Sequence, residues 1–367
     1  NKLVLLELRK RKDVDLSIIV GGAALLSRHS SVLEKLERDG FKVDERVAIL
    51  VEGSNPMSSA KTTGLGVLEF STALEKINPD VVLLRGDRYE VLSAAIAAVH
   101  LNIPIAHIEG GDVSGTTDES IRHAITKLSH IHFTTNEASK IRVEKMGENP
   151  SYVFNVGSPD VEYIKESADK FSVTNKDIAG LGVGGTIDIS NPYVLVLHHP
   201  VSTEYGENKE NTKVLSKVID DLGVQALWFW PNTDAGADEV SSAMREYHER
   251  KRPEHVRFLR YVEEDIFYAL LRDCACLVGN SSAGIKESSY FGVPVVNIGS
   301  RQSGRTRGDN VLDVSEKDGN KLLSAINGQV EHGSYGADSF YVKDGTAKKI
   351  AEILGTSDLY TQKTFHG

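Results

Sequence analysis

The sequence predicts an α/β protein made of two parallel-sheet domains. Three observations lead there. Short runs of aliphatic and β-branched residues alternate with amphipathic helical stretches along the chain, 367 residues exceed what one ordinary core organises, and a looser segment, Lys170 to Asn191, interrupts the alternation. Strands separated by a helix pair in parallel, because the crossover returns the chain to the end of the sheet where the previous strand began.

The chain opens in a helical pattern, without the first strand and glycine-containing turn of a nucleotide-binding half, so an N-terminal portion before Asn1 is expected. The basic run Arg9-Lys10-Arg11-Lys12 reads as the solvated end of that helix. Strands are expected at Leu16–Val20, Val81–Leu84, Ile103–Ala106, His132–Thr134 and Tyr152–Val156, with helices at Ser71–Ile77, Val91–Val99 and Glu119–Leu128 between them. These fill a first domain over residues 1–170. Gly180, Gly182 and Gly185 satisfy G-x-G-x-x-G, but no full strand precedes them and Thr186-Ile187-Asp188-Ile189 starts a helix poorly. The segment is read as a flexible interdomain loop, and Gly64-Leu65-Gly66 carries still less. A second series of strands, Tyr193–Leu197, Val224–Trp230, Val256–Leu259, Cys274–Val278 and Val293–Ile298, builds a second domain over 171–356, followed by a closing segment at 357–367.

Composition excludes several classes of function. A formal charge of -10 and a pI near 5.7 argue against a nucleic-acid surface. Cys274 and Cys276 alone support neither a disulfide framework nor a four-ligand zinc site, and no metal-ligand cluster stands out, so neither metal nor cofactor is expected. No apolar run reaches the roughly 20 residues of a membrane span and no signal peptide is visible, which points to a cytoplasmic protein without a membrane partner.

The chemistry gathers at strand ends, where open α/β sheets place their sites. His107-Ile108-Glu109-Gly110-Gly111 follows Ile103–Ala106 and is itself followed by Asp118 and Arg122-His123, while Arg85-Gly86-Asp87-Arg88 ends the preceding strand. Asp118 is also a plausible first-turn helix acid paired with Arg122 four residues on, and Asp87 with Arg88 a strand-end ion pair. Three acids, an Arg-His pair and glycines converging on one sheet end favour an enzyme site over those separate readings.

In the second domain, Gly279-Asn280-Ser281-Ser282-Ala283-Gly284 follows a strand and leads into a helix expected at Ile285–Tyr290, a turn suited to a phosphate. Glu287 can accept both hydroxyls of a ribose or sit on a helix surface. Arg301, in Ser300-Arg301-Gln302-Ser303-Gly304-Arg305, can neutralise a diphosphate. His199, in His198-His199-Pro200, and Asn232, with Asp234 close behind, end the two strands before it; Asp234 serves equally as a helix N-cap.

The ordered set Gly86-Asp87-Arg88, His107 to Gly111, Ser114-Gly115-Thr116, Asp118, Ser120 to His123, His198 to Val201, Pro231-Asn232, Gly279 to Gly284 and Gly299 to Gln302 resembles the hydrolysing UDP-N-acetylglucosamine 2-epimerases, over residues 80–315. The family's Gly-Thr-Arg-rich loop after its first strand has no counterpart here. The resemblance implies a glycosyltransferase-B fold: two Rossmann-like domains with parallel sheets, substrate in the interdomain cleft, and a C-terminal segment, Leu359–Phe365, crossing back to the first domain. It implies that Asp87, Glu109, Asp118 and His199 are catalytic, and that Arg88, His107, Arg122, His123, Asn232, Ser281, Ser282, Glu287 and Arg301 bind a UDP-sugar. It implies elimination of UDP to a 2-acetamidoglucal and hydration to free N-acetylmannosamine for sialic acid synthesis, with clustered acids raising at least one carboxyl's pKa so that it serves as the acid. Alternatives are the same reaction on UDP-N,N′-diacetylbacillosamine (legionaminic acid pathway), a non-hydrolysing UDP-GlcNAc 2-epimerase, a glycosyltransferase, or a silent sugar-nucleotide sensor. A homodimer or homotetramer is expected; the apolarity of Val91–Val99 fits pairing or packing on the sheet equally.

Overall fold

A computed structural model of the chain describes residues 2–26, 32–315 and 317–367. The strands are β1 (Ile19–Gly21), β2 (Glu45–Val47), β3 (Val82–Arg85), β4 (Ile105–Ile108), β5 (Ile131–Thr134), β6 (Val153–Asn155), β7 (Val183–Gly184), β8 (Tyr193–Leu197), β9 (Gln225–Phe229), β10 (Val256–Leu259), β11 (Cys276–Gly279), β12 (Val295–Ile298) and β13 (Val311–Val314). Two compact units emerge: residues 1–113, 117–163 and 341–367 form the first, and residues 114–116 and 164–340 the second.

In the first unit β3-β4-β5-β6 form a parallel sheet, and β1 and β2 pair parallel as a separate ribbon, so the expected strand near Leu16–Val20 does not join the main sheet. Every residue of β4 and β5 is buried, as a sheet covered on both faces requires. One face packs Leu84 and Ile105 against Ala94, Ala95, Ala97 and Ala98 of the helix Tyr89–His100, which assigns that helix's apolarity to core packing. The other face packs Ala106, Ile108 and Phe133 against Val4 and Leu8 of the helix Lys2–Lys10 and Ile350 and Ala351 of the helix Thr346–Thr356. The C-terminal return therefore begins at Tyr341 rather than at residue 357, because Ile350 and Ala351 need this face; Thr346 Oγ1 donates to Val156 O at 2.6 Å and fixes the helix start. The change of unit at the middle falls between Tyr163 and Ile164, inside the helix Pro159–Ser167.

The second unit holds a sheet ordered β13-β12-β11-β8-β9-β10-β7, all parallel except the edge strand β7. The chain moves outward from β8 through β9 to β10, then returns to β11 on the other side of β8. The reversal lies between β8 and β11, which is where such sheets open a crevice at their carboxyl ends. Val194, Val196, Trp228, Phe258, Cys276, Val278 and Val296 share one buried cluster beneath it. The glycine-rich segment is not an interdomain loop: it lies within this unit as the helix Asn175–Ala179 and β7, and Arg257 donates to the carbonyls of Ala179, Leu181 and Gly185. Cys274 ends the helix Glu264–Asp273, so its strand starts two residues later than expected. Among the described residues no helix is long and apolar enough to cross a membrane.

Candidate active site

In the first unit the acids stand opposite arginines. β3 and β4 run side by side, so Asp87 and Glu109 leave adjacent carboxyl ends, and Glu109 Oε2 lies 4.0 Å from where a Cβ on Gly86 would stand. Glu109 takes a left-handed backbone (φ 71°), which costs a residue with a side chain about 1–2 kcal/mol. It is held there by its N–H, which donates to Phe133 O at 2.9 Å. Gly111 follows at φ 78°, where a Cβ would meet Ser139 O at 2.4 Å, so the turn admits no side chain at that position. Strain of this kind at the end of a strand is a signature of a working site.

Arg85, at the end of β3, donates from Nη2 to Glu109 Oε1 at 2.8 Å and from Nη1 to Asp160 Oδ1 at 2.9 Å. Burial works against its charge, but Asp160 and Glu109 outweigh that and push its pKa well above the ordinary value; Arg85 in turn holds the Asp160 carboxyl low against its own burial. Arg122, 1% exposed, bonds Asp87 Oδ2 and donates to Asp112 O at 2.9 Å. Asp112 is itself fixed by Thr135 Oγ1 at 3.0 Å and Ser139 Oγ at 2.6 Å. Guanidinium groups thus stand beside both acids and offset their charge.

His107 is fully buried, with Nε2 donating to Gly86 O at 2.9 Å and Nδ1 3.2 Å from Thr126 Oγ1. Burial pushes its pKa down to about 4. A ring with both nitrogens engaged inside the protein braces the Gly86–Asp87 turn. Arg88 pairs with Glu90 at 3.2 Å rather than with Asp87 and lies over the Tyr89 ring. Asp118 opens the helix Thr117–Leu128, one turn before Arg122 on the same face. His123, half-buried one residue on, has its pKa lowered by burial and stands 3.9 Å from Glu119.

The second unit builds its site from neutral groups and backbone. Asn280, fully buried after β11, bridges the sheet reversal: its Oδ1 accepts from His199 N at 2.7 Å and its Nδ2 donates to His199 O at 2.8 Å. Its own carbonyl accepts from Arg301 Nη1 at 3.1 Å and Gln302 Nε2 at 2.9 Å. One side chain thus sets the backbone of His199, and one carbonyl aims Arg301. Gly279 supports this with φ 144° and a Cβ position only 2.0 Å from Leu197 O.

His199 Nδ1 accepts the Asn232 N–H at 3.3 Å, which leaves the ring proton on Nε2. Burial, then the Arg301 charge, pushes its pKa down to about 3, so it is a neutral donor rather than a cation. Asn232 Nδ2 bonds Asp234 Oδ2 at 2.5 Å, and Arg301 stands 3.5 Å from the same carboxylate. Asp234 therefore steadies both rather than capping a helix with its side chain, since the following helix, Ala237–Lys251, starts from Gly236.

Ser281 caps a tight turn, Ser282–Gly284, by accepting from Ala283 N at 3.3 Å. The helix expected at Ile285–Tyr290 is instead this turn followed by the short helix Glu287–Phe291, and Gly284 packs so closely on the sheet that a Cβ would stand 3.0 Å from Leu277. Glu287 is 7% exposed at that helix's start. Ser114–Thr116 belong to this unit: Gly115 N donates to Arg301 O at 3.0 Å, and a Cβ there would strike Ser300 O at 1.7 Å.

Asp160 and Asp112 lie outside the motifs that the sequence singles out, while Arg85 and Asn280 lie inside them without an assigned role. For Arg85 the usable signal is a charge ending an apolar parallel strand.

Comparison with known proteins agrees with this architecture. The chain is 34% identical over 359 residues to the UDP-N,N′-diacetylbacillosamine 2-epimerase (hydrolyzing) of Legionella pneumophila, covering 98% of this chain and 93% of that one. It is 33% identical over 312 residues to the GDP/UDP-N,N′-diacetylbacillosamine 2-epimerase (hydrolyzing) of Campylobacter jejuni, covering 84% and 78%. A crystal structure of UDP-GlcNAc 2-epimerase from Neisseria meningitidis bound to UDP-GlcNAc shares the glycosyltransferase-B fold, with a TM-score of 0.77, 19% identity and coverage of 96% and 95%. The family described as UDP-N-acetylglucosamine 2-epimerase matches residues 6–355, and the chain belongs to that family.

Proposed function

We propose that the protein is a hydrolysing 2-epimerase of a UDP-linked N-acetylated sugar, with UDP-N,N′-diacetylbacillosamine as first choice and UDP-N-acetylglucosamine as second. The observation that carries the reaction type is the pair of arginine-backed acids, Asp87 and Glu109, on adjacent strand ends. The two relatives above favour the bacillosamine sugar, and the family's description favours N-acetylglucosamine.

The C2 proton of a sugar nucleotide has no carbonyl beside it, so it becomes labile as the C1–O bond to the diphosphate breaks and positive charge grows at C1. Asp87, Glu109 and Asp118 supply negative charge for that cation and a base for the C2 proton. The C1–O electrons leave with UDP, and the C2–H electrons form the C1–C2 double bond of the glycal. Water then adds its hydroxyl at C1 and a proton at C2 on the opposite face, releasing the epimerised free sugar. In the second unit, the Nε2–H of His199, the Arg301 guanidinium and the Ser281–Ser282 turn suit the departing diphosphate, and Glu287 a ribose.

An equimolar mixture of the two UDP-sugars tests the substrate. Free 2-epimerised diacetyl sugar appearing first supports the first choice; free N-acetylmannosamine appearing first selects the second, and nucleotide that stays attached to an epimerised sugar refutes the hydrolysing reaction.

A further inference from the structure

We propose that Arg85 is a positioning residue for Glu109, and that Asp160 anchors Arg85 in that task. The proposal rests on the proposed reaction and adds to it two residues outside the expected site.

The geometry has three parts. Arg85 ends β3, Glu109 follows β4, and Asp160 lies in the first turn of the helix Pro159–Ser167, so a single guanidinium ties two strands and a helix together at the carboxyl edge. Both oxygens of Asp160 take part, one at 2.9 Å from Nη1 and the other on Nη2, which fixes the plane of the fork. From that plane Nη2 reaches Glu109 Oε1 at 2.8 Å. The side chains are shielded, at 18% exposure for Arg85, 12% for Glu109 and 23% for Asp160, so solvent screens the pairing only in part.

A stability role alone does not account for this arrangement. Asp160 already satisfies Arg85 in a two-bond pair, yet Arg85 also bonds a residue whose backbone is held in the left-handed region. Fixing a strained carboxylate through Oε1 sets the orientation of the whole group, whose Oε2 lies 4.0 Å from where a Cβ on Gly86 would stand, at the start of the Asp87 turn. Asp160 also opposes Glu109: their like charges repel, and Arg85 between them offsets that repulsion and holds the Asp160 carboxyl low.

The test compares Arg85→Met, Arg85→Lys and the double variant Arg85→Met/Asp160→Asn, following UDP release across pH together with thermal stability. Arg85→Met should lose about 100-fold in kcat with KM within about threefold, the size of loss that misplacing a reacting group produces. Its acidic limb should move to higher pH, because Glu109 then faces Asp160 without a cation between them. Arg85→Lys should keep the limb in place and recover part of kcat. In the double variant stability should recover in part, since the repulsion between Asp160 and Glu109 is gone, while kcat stays low because Glu109 still lacks its arginine. Loss of melting temperature with an unmoved limb would mean a structural salt bridge and overturn the proposal.

A readout without turnover separates this from failure of the reaction reading. Carbon-13 carboxyl NMR of glutamate-labelled protein, with the Glu109 signal identified by Glu109→Gln, should show that signal titrating at higher pH in Arg85→Met than in the parent. An identical titration overturns the proposal even if the parent releases no UDP.

Discussion

The two units organise their polar strand ends in opposite ways. At the edge of β3 and β4, charge meets charge: Asp87 with Arg122, Glu109 and Asp160 with Arg85. At the edge of β8 and β11, a neutral histidine is held by an asparagine, and one arginine is aimed by a backbone carbonyl. Fixed, opposed charges suit a place where charge and protons move during a reaction. Neutral donors around a single cation suit a place that grips an anion and lets it go. Under the proposed reaction, the difference assigns bond-breaking to the first arrangement and retention of the diphosphate to the second.

The sharpest way to break that division is to remove an acid from the first edge. Glu109→Gln or Asp87→Asn should cut kcat by about 1,000-fold, in the range lost with a general acid or base, while UDP still binds within about threefold of the parent affinity. A UDP titration by calorimetry beside steady-state kinetics checks both halves, and a variant that loses binding but keeps kcat would reverse the assignment.

Arg301→Met should act the other way. Losing a charge-assisted contact to phosphate costs about 2 kcal/mol, roughly 30-fold in UDP affinity. Asn280→Ala follows: it unties both backbone bonds of His199, and the unsatisfied buried groups should lower stability by about 2 kcal/mol by denaturant titration, with a smaller loss of UDP affinity.

The mildest test is pH. Burial holds His199 at about 3 and His198 and His107 at about 4, below the usual 6.5, so each is neutral in the folded protein while the unfolded chain binds a proton. Stability should therefore be full above about pH 6.5 and fall as pH drops toward 4, by at most about 1.4 kcal/mol per pH unit for each histidine. His199→Asn should flatten that slope by one histidine's share, and an unchanged slope would mean the ring is not buried neutral.

Much of this was legible from local patterning. The strands Tyr193–Leu197 and Val256–Leu259 coincide residue for residue with their expected spans, because buried parallel strands are continuous apolar runs. β2 and β13 were missed because Glu45-Arg46-Val47 and Val311-Leu312-Asp313-Val314 are short and partly exposed, leaving little apolar signal. The acids Asp87 and Glu109 were visible as polar residues ending apolar runs. Their partners were harder: Asp160 meets Arg85 across 75 positions, a pairing that chain order does not encode. His107 looked like a ligand group because a histidine at a strand end often is one; only the structure shows its ring turned inward onto Gly86 and Thr126.

The most direct measurement is proton NMR in D₂O with UDP-N,N′-diacetylbacillosamine and with UDP-N-acetylglucosamine. The account predicts, for one of them, free UDP together with a free 2-epimerised sugar carrying deuterium at C2. Release of UDP with the C2 proton retained, or a sugar that stays on its nucleotide with both substrates, would contradict it.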